Sequence, residues 1–75
     1  MNKLRRKAVA ELIEKLSSLQ EELEAIKDKE EETLENIPES FKETERYISS
    51  QDALGYLEEA YYSLQECIDN LEGIE

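Results

Sequence analysis

Carboxylates are the most abundant side chains of this chain that could take part in chemistry. Of its 75 residues, 20 are Asp or Glu. One cluster lies at residues 28–35, and a second group comprises Glu58, Glu59 and Glu66. Carboxylates can hold divalent cations or act as general acids and bases, but the di-iron sites of helical bundles also need histidine ligands. Because the chain contains no histidine, the sequence predicts no metal site, no cofactor and no catalytic carboxylate.

Cys67 is the one side chain suited to nucleophilic catalysis. A catalytic thiol normally needs a neighbouring base such as histidine to form the thiolate. Cys67 instead follows Ala53 and Ala60 at intervals of seven residues, which predicts a small apolar residue at a helix interface, with a reactive thiol as the alternative. A single cysteine also fits a reducing, cytoplasmic location.

The charge of the chain limits its partners. The net charge is −11, and the bases Lys3, Arg5, Arg6 and Lys7 are concentrated at the N-terminus. An acidic surface repels nucleic acids and anionic membranes, so we expect neither as a partner, and no membrane span or signal peptide. If the negative charge serves to bind a partner, we expect that partner to be basic. The alternative is that the charge only keeps a helical surface soluble.

The spacing of apolar residues predicts an all-α chain that forms a single domain over residues 1–75. Helix 1 is predicted over about residues 3–36, a turn around Pro38 over about 37–49, and helix 2 over about 50–73, starting near Ser50. Each helix carries apolar residues at alternating intervals of three and four, the a and d positions of a coiled coil. In helix 1 these residues are Val9, Leu12, Leu16, Leu19, Leu23 and Ile26. In helix 2 they are Leu54, Leu57, Tyr61, Leu64, Ile68 and Leu71.

The two apolar columns match when the chain is folded about residue 40. Facing residue numbers then add to 80, so that Leu12 meets Ile68 and Leu19 meets Tyr61, with every a position opposite a d position. The sequence thus predicts an antiparallel two-helix coiled-coil hairpin. In this register the N-terminal bases lie beside Asp69, Glu72 and Glu75, which favours the same pairing.

Helix 2 has more apolar surface than one neighbouring helix can cover. Its g positions are apolar as well, and two hairpins packed as a homodimeric four-helix bundle would bury them. The predicted dimer or partner interface consists of Ala53, Ala60, Cys67, Ile74 and the core residue Tyr61.

Two tyrosines lie away from this interface. Tyr56 and Tyr62 occupy c and b positions, where packed helices leave side chains exposed, and exposed tyrosines often anchor protein interfaces. With the neighbouring acids Glu58, Glu59 and Glu66 they form the predicted partner-binding surface. The alternative is that they are scattered surface aromatics, which are normal.

The segment around the turn resembles a known group of proteins. Residues 35–41 (Glu-Asn-Ile-Pro-Glu-Ser-Phe), the following Thr44-Glu45-Arg46 and the repeat from Ala53 are similar to an uncharacterised family of small acidic helical hairpins. Its members occur in Gram-positive bacteria, their phages and mobile elements. The opening Met1-Asn2-Lys3 with Arg5-Arg6-Lys7 is similar too, whereas Tyr47 stands where the family carries glycine. The resemblance implies a protein that acts on a host protein.

Two functions follow as hypotheses. The first is a non-catalytic interaction module that binds a basic site on another protein, such as a phage or mobile-element inhibitor of a nucleic-acid-binding or defence enzyme. The second is a structural self-assembly or packing module without a heterologous target. An enzyme with a small-molecule substrate is not expected, because the residues for catalysis are missing.

Overall fold

The computed structural model describes residues 1–74, which form two long helices joined by a short turn. Helix α1 spans Lys3–Glu35, a single 3-10 turn spans Glu39–Phe41, and helix α2 spans Glu45–Glu72. The two helices pack against each other along a molecule of 59 × 14 × 13 Å. The predicted all-helical hairpin is confirmed. Glu75, predicted among the acids at the end of helix 2, lies outside the described residues.

Helix α1 begins and ends with asparagine caps. The side-chain oxygen of Asn2 accepts a hydrogen bond from the backbone N–H of Arg5 at 2.9 Å, which satisfies one of the free donors of the first turn. At the other end, the N–H of Asn36 donates to the carbonyl of Glu32. Pro38 has extended geometry, so the chain leaves the helix before it and turns.

Helix α2 begins at Glu45, five residues before the predicted start near Ser50. Its N-cap is Thr44, whose hydroxyl accepts a hydrogen bond from the N–H of Tyr47 at 3.3 Å and donates to the carbonyl of Phe41 at 2.8 Å. The hydroxyl thus links the 3-10 turn to α2. The later start is therefore wrong, because Thr44 caps the helix before either serine at positions 49 and 50 is reached.

The predicted inner column of α2 faces α1. Ile68 is buried, and the other five residues of the column are half-buried. Tyr47 and Ser50 extend the column toward the turn, and both are also half-buried. The alternation of three and four residues therefore continues along nearly the whole of α2.

The predicted inner column of α1 is only half correct. Its a positions point inward, but its d positions Leu12, Leu19 and Ile26 are 45%, 54% and 58% exposed. The e positions lie inside instead, namely Ile13, Gln20, Lys27 and Leu34. Compared with the prediction, α1 is rotated by about 50° around its axis, half the angle between successive residues.

The register also differs from the predicted one. Gln20 hydrogen-bonds to Gln65, and Lys27 interacts electrostatically with Glu58. The numbers in both pairs add to 85 rather than 80, so the helices are shifted by about five residues from the predicted pairing.

The position of the turn explains both the rotation of α1 and the shifted register. Leu34 is the last apolar residue of α1 before Asn36, whereas the a and d positions nearest the turn are Glu30 and Thr33. Since the chain reverses within a few residues of Leu34, burial of this leucine, which is 6% exposed, favours the observed rotation.

The core of one hairpin is small. Among residues 1–74 only Leu34 and Ile68 are buried, the latter at 3% exposure. Two extended helices can bury little surface between them, so a single hairpin leaves most of its apolar side chains in contact with water.

Candidate interaction surfaces

The residues predicted to bind a partner lie together on the outer side of α2. Tyr56 and Tyr62 are 73% and 69% exposed, and the acids between and beside them, Glu58, Glu59 and Glu66, are exposed as well. We call these five residues the tyrosine surface. A shallow groove next to it is lined by Asp52, Gly55 and Tyr56.

Tyr62 is oriented by its neighbour Tyr61. The two rings meet edge to face, with centroids 5.6 Å apart and planes at 87°, a favourable geometry for aromatic pairs. Because Tyr61 is half-buried against α1, it belongs to the seam within the hairpin. Of the predicted interface residues, it is the one that the chain itself covers.

The other predicted interface residues are exposed in the hairpin. Ala53, Ala60, Cys67 and Ile74 form a column along one flank of α2, and none of them is covered by α1. The thiol of Cys67 is free and exposed. The g column of α2 is therefore available for a further contact, and the expectation that Cys67 is a covered apolar residue is not met within a single hairpin.

The exposed d positions of α1 lie on the same side of the hairpin as the g column of α2. A groove beside the turn is lined by Thr33 of α1 together with Arg46 and Ser50 of α2. Thr33 follows Ile26 by seven residues and Arg46 precedes Ala53 by seven, so each continues its exposed column by one heptad. We call the combined surface the apolar face. Its members are Leu12, Leu19, Ile26, Ala53, Ala60, Cys67 and Ile74.

The prediction missed the α1 half of the apolar face. It assigned Leu12, Leu19 and Ile26 to the seam within the hairpin, where they would have been covered. The polar pair Gln20 and Gln65 was the pattern that could have indicated the rotation, because two facing amides satisfy each other inside a seam.

The opposite side of the hairpin is polar. The side-chain amide of Gln20 donates to Gln65 at 2.7 Å, and the amide of Gln65 donates to Asp69 at 2.9 Å. Further along, Lys27 lies close to Asp28, with 3.6 Å between Nζ and a carboxylate oxygen. Desolvation lowers the pKa of Lys27, but Asp28, Glu31 and Glu58 outweigh it, so the pKa is raised above its ordinary value.

Charge is distributed unevenly along the hairpin. The half nearest the turn, residues 19–65, contains 14 acids and four bases, whereas residues 1–18 and 66–74 together contain five of each. The turn half thus has a net charge of −10 and the open half is neutral.

The N-terminal bases are not neutralised by α2. Among residues 1–74 the ion pairs are Lys27–Asp28 and Lys42–Glu39. In the observed register Glu72 lies level with Ile13, so the first turns of α1 extend past the end of α2. The prediction that these bases lie beside Asp69 and Glu72 is wrong for that reason.

The described part of the chain contains neither a cluster of metal ligands nor a helix that could span a membrane. No group of three or more cysteine and acidic side chains in residues 1–74 could hold a metal ion. Neither helix has a stretch long and apolar enough to cross a bilayer.

The fold and these surfaces define a two-helix hairpin with one acidic aromatic surface and one apolar face. Comparisons with protein families, with curated proteins and with solved structures each give no match.

Proposed function

We propose that this chain is a non-catalytic interaction module that presents the tyrosine surface of α2 to a basic site on another protein. The observation that supports this most directly is the exposure of Tyr56 and Tyr62 among three exposed acids. Buried tyrosines contribute strongly to binding at interfaces, and acidic side chains around them attract a basic partner and set its orientation.

The turn half extends the attraction beyond the tyrosine surface. Its net charge of −10 is spread over both helices and the turn, and a charge of that size accelerates the approach of a basic protein. In this proposal, the tyrosine surface binds to a nucleic-acid-binding or defence enzyme, at the site where that enzyme would otherwise bind nucleic acid. The resemblance to hairpins of phages and mobile elements supports this class of target.

The proposal includes a homodimeric four-helix bundle in the cytoplasm. The exposed apolar face supports the dimer, because soluble monomers rarely leave so long an apolar surface uncovered. The free thiol of Cys67 supports a reducing compartment. The partner is a protein, and neither nucleic acid, membrane nor small-molecule substrate takes part.

The test compares two variants of equal charge in pull-downs from a Gram-positive lysate. The first carries Glu58→Gln, Glu59→Gln and Glu66→Gln. The control carries Glu11→Gln, Glu14→Gln and Glu21→Gln on α1, which changes the net charge by the same three units. We expect a partner that binds to the control variant but not to the first variant. Heparin is expected to displace this partner from the unmodified protein.

A partner bound equally by both variants would refute the role of the tyrosine surface. The absence of any partner that depends on these acids would favour the second candidate, a self-assembly module. That candidate is supported by the apolar face, whose exposed leucines and isoleucines offer a surface for association without a heterologous target.

A further inference from the structure

The apolar face has dimensions and composition that fit a second copy of this chain in one orientation. We infer that two hairpins pack face to face with their turns at opposite ends, so that α1 lies antiparallel to α1 of the second copy. This inference rests on the proposed dimer and specifies its interface and orientation.

The apolar face runs along nearly the whole length of the hairpin. The hairpin is 59 Å long and about 14 Å wide, and a stable complex typically buries about 800 Å² per partner, so a contact along the full length of this side is what a stable dimer needs. The opposite side carries amides and carboxylates instead, so only one face suits such a contact.

The α1 column is symmetric about its middle residue. Leu19 is the midpoint of Lys3–Glu35, and Leu12 and Ile26 lie seven residues on either side of it. An antiparallel pairing about Leu19 places Leu19 against its own copy and Leu12 against Ile26 of the second copy. The same pairing places Lys15 beside Glu22 of the second copy, which joins opposite charges at the edge of the face.

The α2 column fits the same axis. In the observed register Leu19 lies level with Glu66. A twofold axis at that level brings Ala60, Cys67 and Ile74 to within one residue, about 1.5 Å along the axis, of the half-buried Leu71, Leu64 and Leu57 of the second copy. Each small or exposed residue at a g position thus meets a leucine at a d position, as close packing requires.

Charge distinguishes this orientation from the alternative. If the turns lay at the same end, two halves of net charge −10 would lie against each other, and like charges repel. With the turns at opposite ends, each acidic half meets a neutral half whose first turn carries Lys3, Arg5, Arg6 and Lys7.

A groove at the turn receives the N-terminus of the second copy in this arrangement. The groove has a volume of about 570 Å³ and is lined in part by Thr33, Ile37 and Phe41. Antiparallel pairing about Leu19 brings Met1 and Leu4 of the second copy to this level. Both are highly exposed in the single hairpin, and the groove would cover them.

The experiment combines a mass measurement with disulfide trapping. Light scattering of the unmodified protein at micromolar concentration is expected to give twice 8.8 kDa. The Leu19→Cys variant, which retains Cys67, is then oxidised with glutathione disulfide, and the cross-linked peptides are identified by mass spectrometry. We expect a disulfide between the two copies of position 19. Glu21→Cys on the outer side of α1 is the control and is expected to cross-link far more slowly.

A second pair of variants does not depend on position 19. Leu12→Cys and Ile26→Cys, each combined with Cys67→Ala, are mixed and oxidised, and a mixed disulfide between positions 12 and 26 is expected. A mass near 8.8 kDa would overturn both this inference and the proposed dimer. A dimer whose copies are joined to each other through a 19–67 disulfide, or that forms no disulfide at either set of positions, would overturn the orientation alone.

Discussion

The hydrogen bond between Gln20 and Gln65 allows a direct test of the register. It joins the two helices at 2.7 Å in a half-buried position, where the facing numbers add to 85. In the register that adds to 80, Gln20 would lie opposite Ala60, and the backbones of Gln20 and Gln65 would be offset by about 7.5 Å along the helix axis, five residues at 1.5 Å each. Both side chains would then have to extend toward each other to form the bond, which would weaken it.

A double-mutant cycle measures this bond apart from other effects. The proteins are the unmodified chain, Gln20→Ala, Gln65→Ala and the double variant. Gln65→Ala also removes the bond to Asp69, but that loss is common to both sides of the cycle and cancels. The remaining coupling is the energy of the amide pair, which we expect to be about 0.5–1.5 kcal/mol for a neutral, partly hydrated hydrogen bond.

The assay is urea unfolding followed by circular dichroism at a single protein concentration, since association would otherwise shift the apparent stability. The matched control is the cycle of Gln20→Ala with Gln51→Ala. Gln51 occupies the same column of α2, two heptads or about 21 Å from Gln65, and its side chain bonds to Tyr47 instead. Its coupling to Gln20 is expected to be zero within about 0.3–0.5 kcal/mol.

A coupling for Gln20 and Gln65 no larger than that of the control would refute the register. It would also remove the basis for the α1 rotation, because the same bond holds position 20 inside the seam. Leu19 would then be a core residue, and the apolar face would lose its α1 half.

Three further predictions concern other parts of the hairpin and are tested by the free energy of unfolding. Ile68→Ala should lower it by about 2–5 kcal/mol because it removes the most buried side chain, whereas Tyr56→Ala at an exposed position should change it little. Gly55→Ala should raise it by about 0.5–1 kcal/mol, since an added Cβ meets nothing within 4 Å. The pKa of Lys27 is raised in the folded state, so its stabilising contribution is complete below pH 10.5 and is lost as pH rises through the folded pKa. Stability above pH 10.5 should therefore fall more steeply in the unmodified protein than in Lys27→Met.

The orientation of helix α2 could be predicted from sequence because only one of its sides carries large apolar side chains along its whole length. Its a and d positions alternate without interruption from Leu54 to Leu71, so a single orientation covers them. Its g column could be identified for the same reason, since nothing in helix 1 remained to match Ala53 and Ala60.

Helix α1 could not be oriented by the same rule. Its a positions are flanked by apolar residues on both sides, at d in Leu12 and Leu19 and at e in Ile13 and Leu34. Two rotations about 50° apart therefore bury similar numbers of aliphatic side chains. The choice depends on where the chain turns, which Thr44 determines by capping α2 earlier than the serines downstream.

The rotation of α1 has a consequence for how the molecule is stabilised. The side of α1 that faces α2 contains Gln20, Lys27 and Glu30 among its apolar residues, whereas the column left exposed consists of Leu12, Leu19 and Ile26. Burial of apolar surface is the main driving force of folding, so the polar residues in the seam limit what one hairpin gains from its own packing. In the proposed arrangement the exposed column is buried only between copies. The hairpin and its dimer are then expected to form together, because neither interface alone encloses all the leucines of α1.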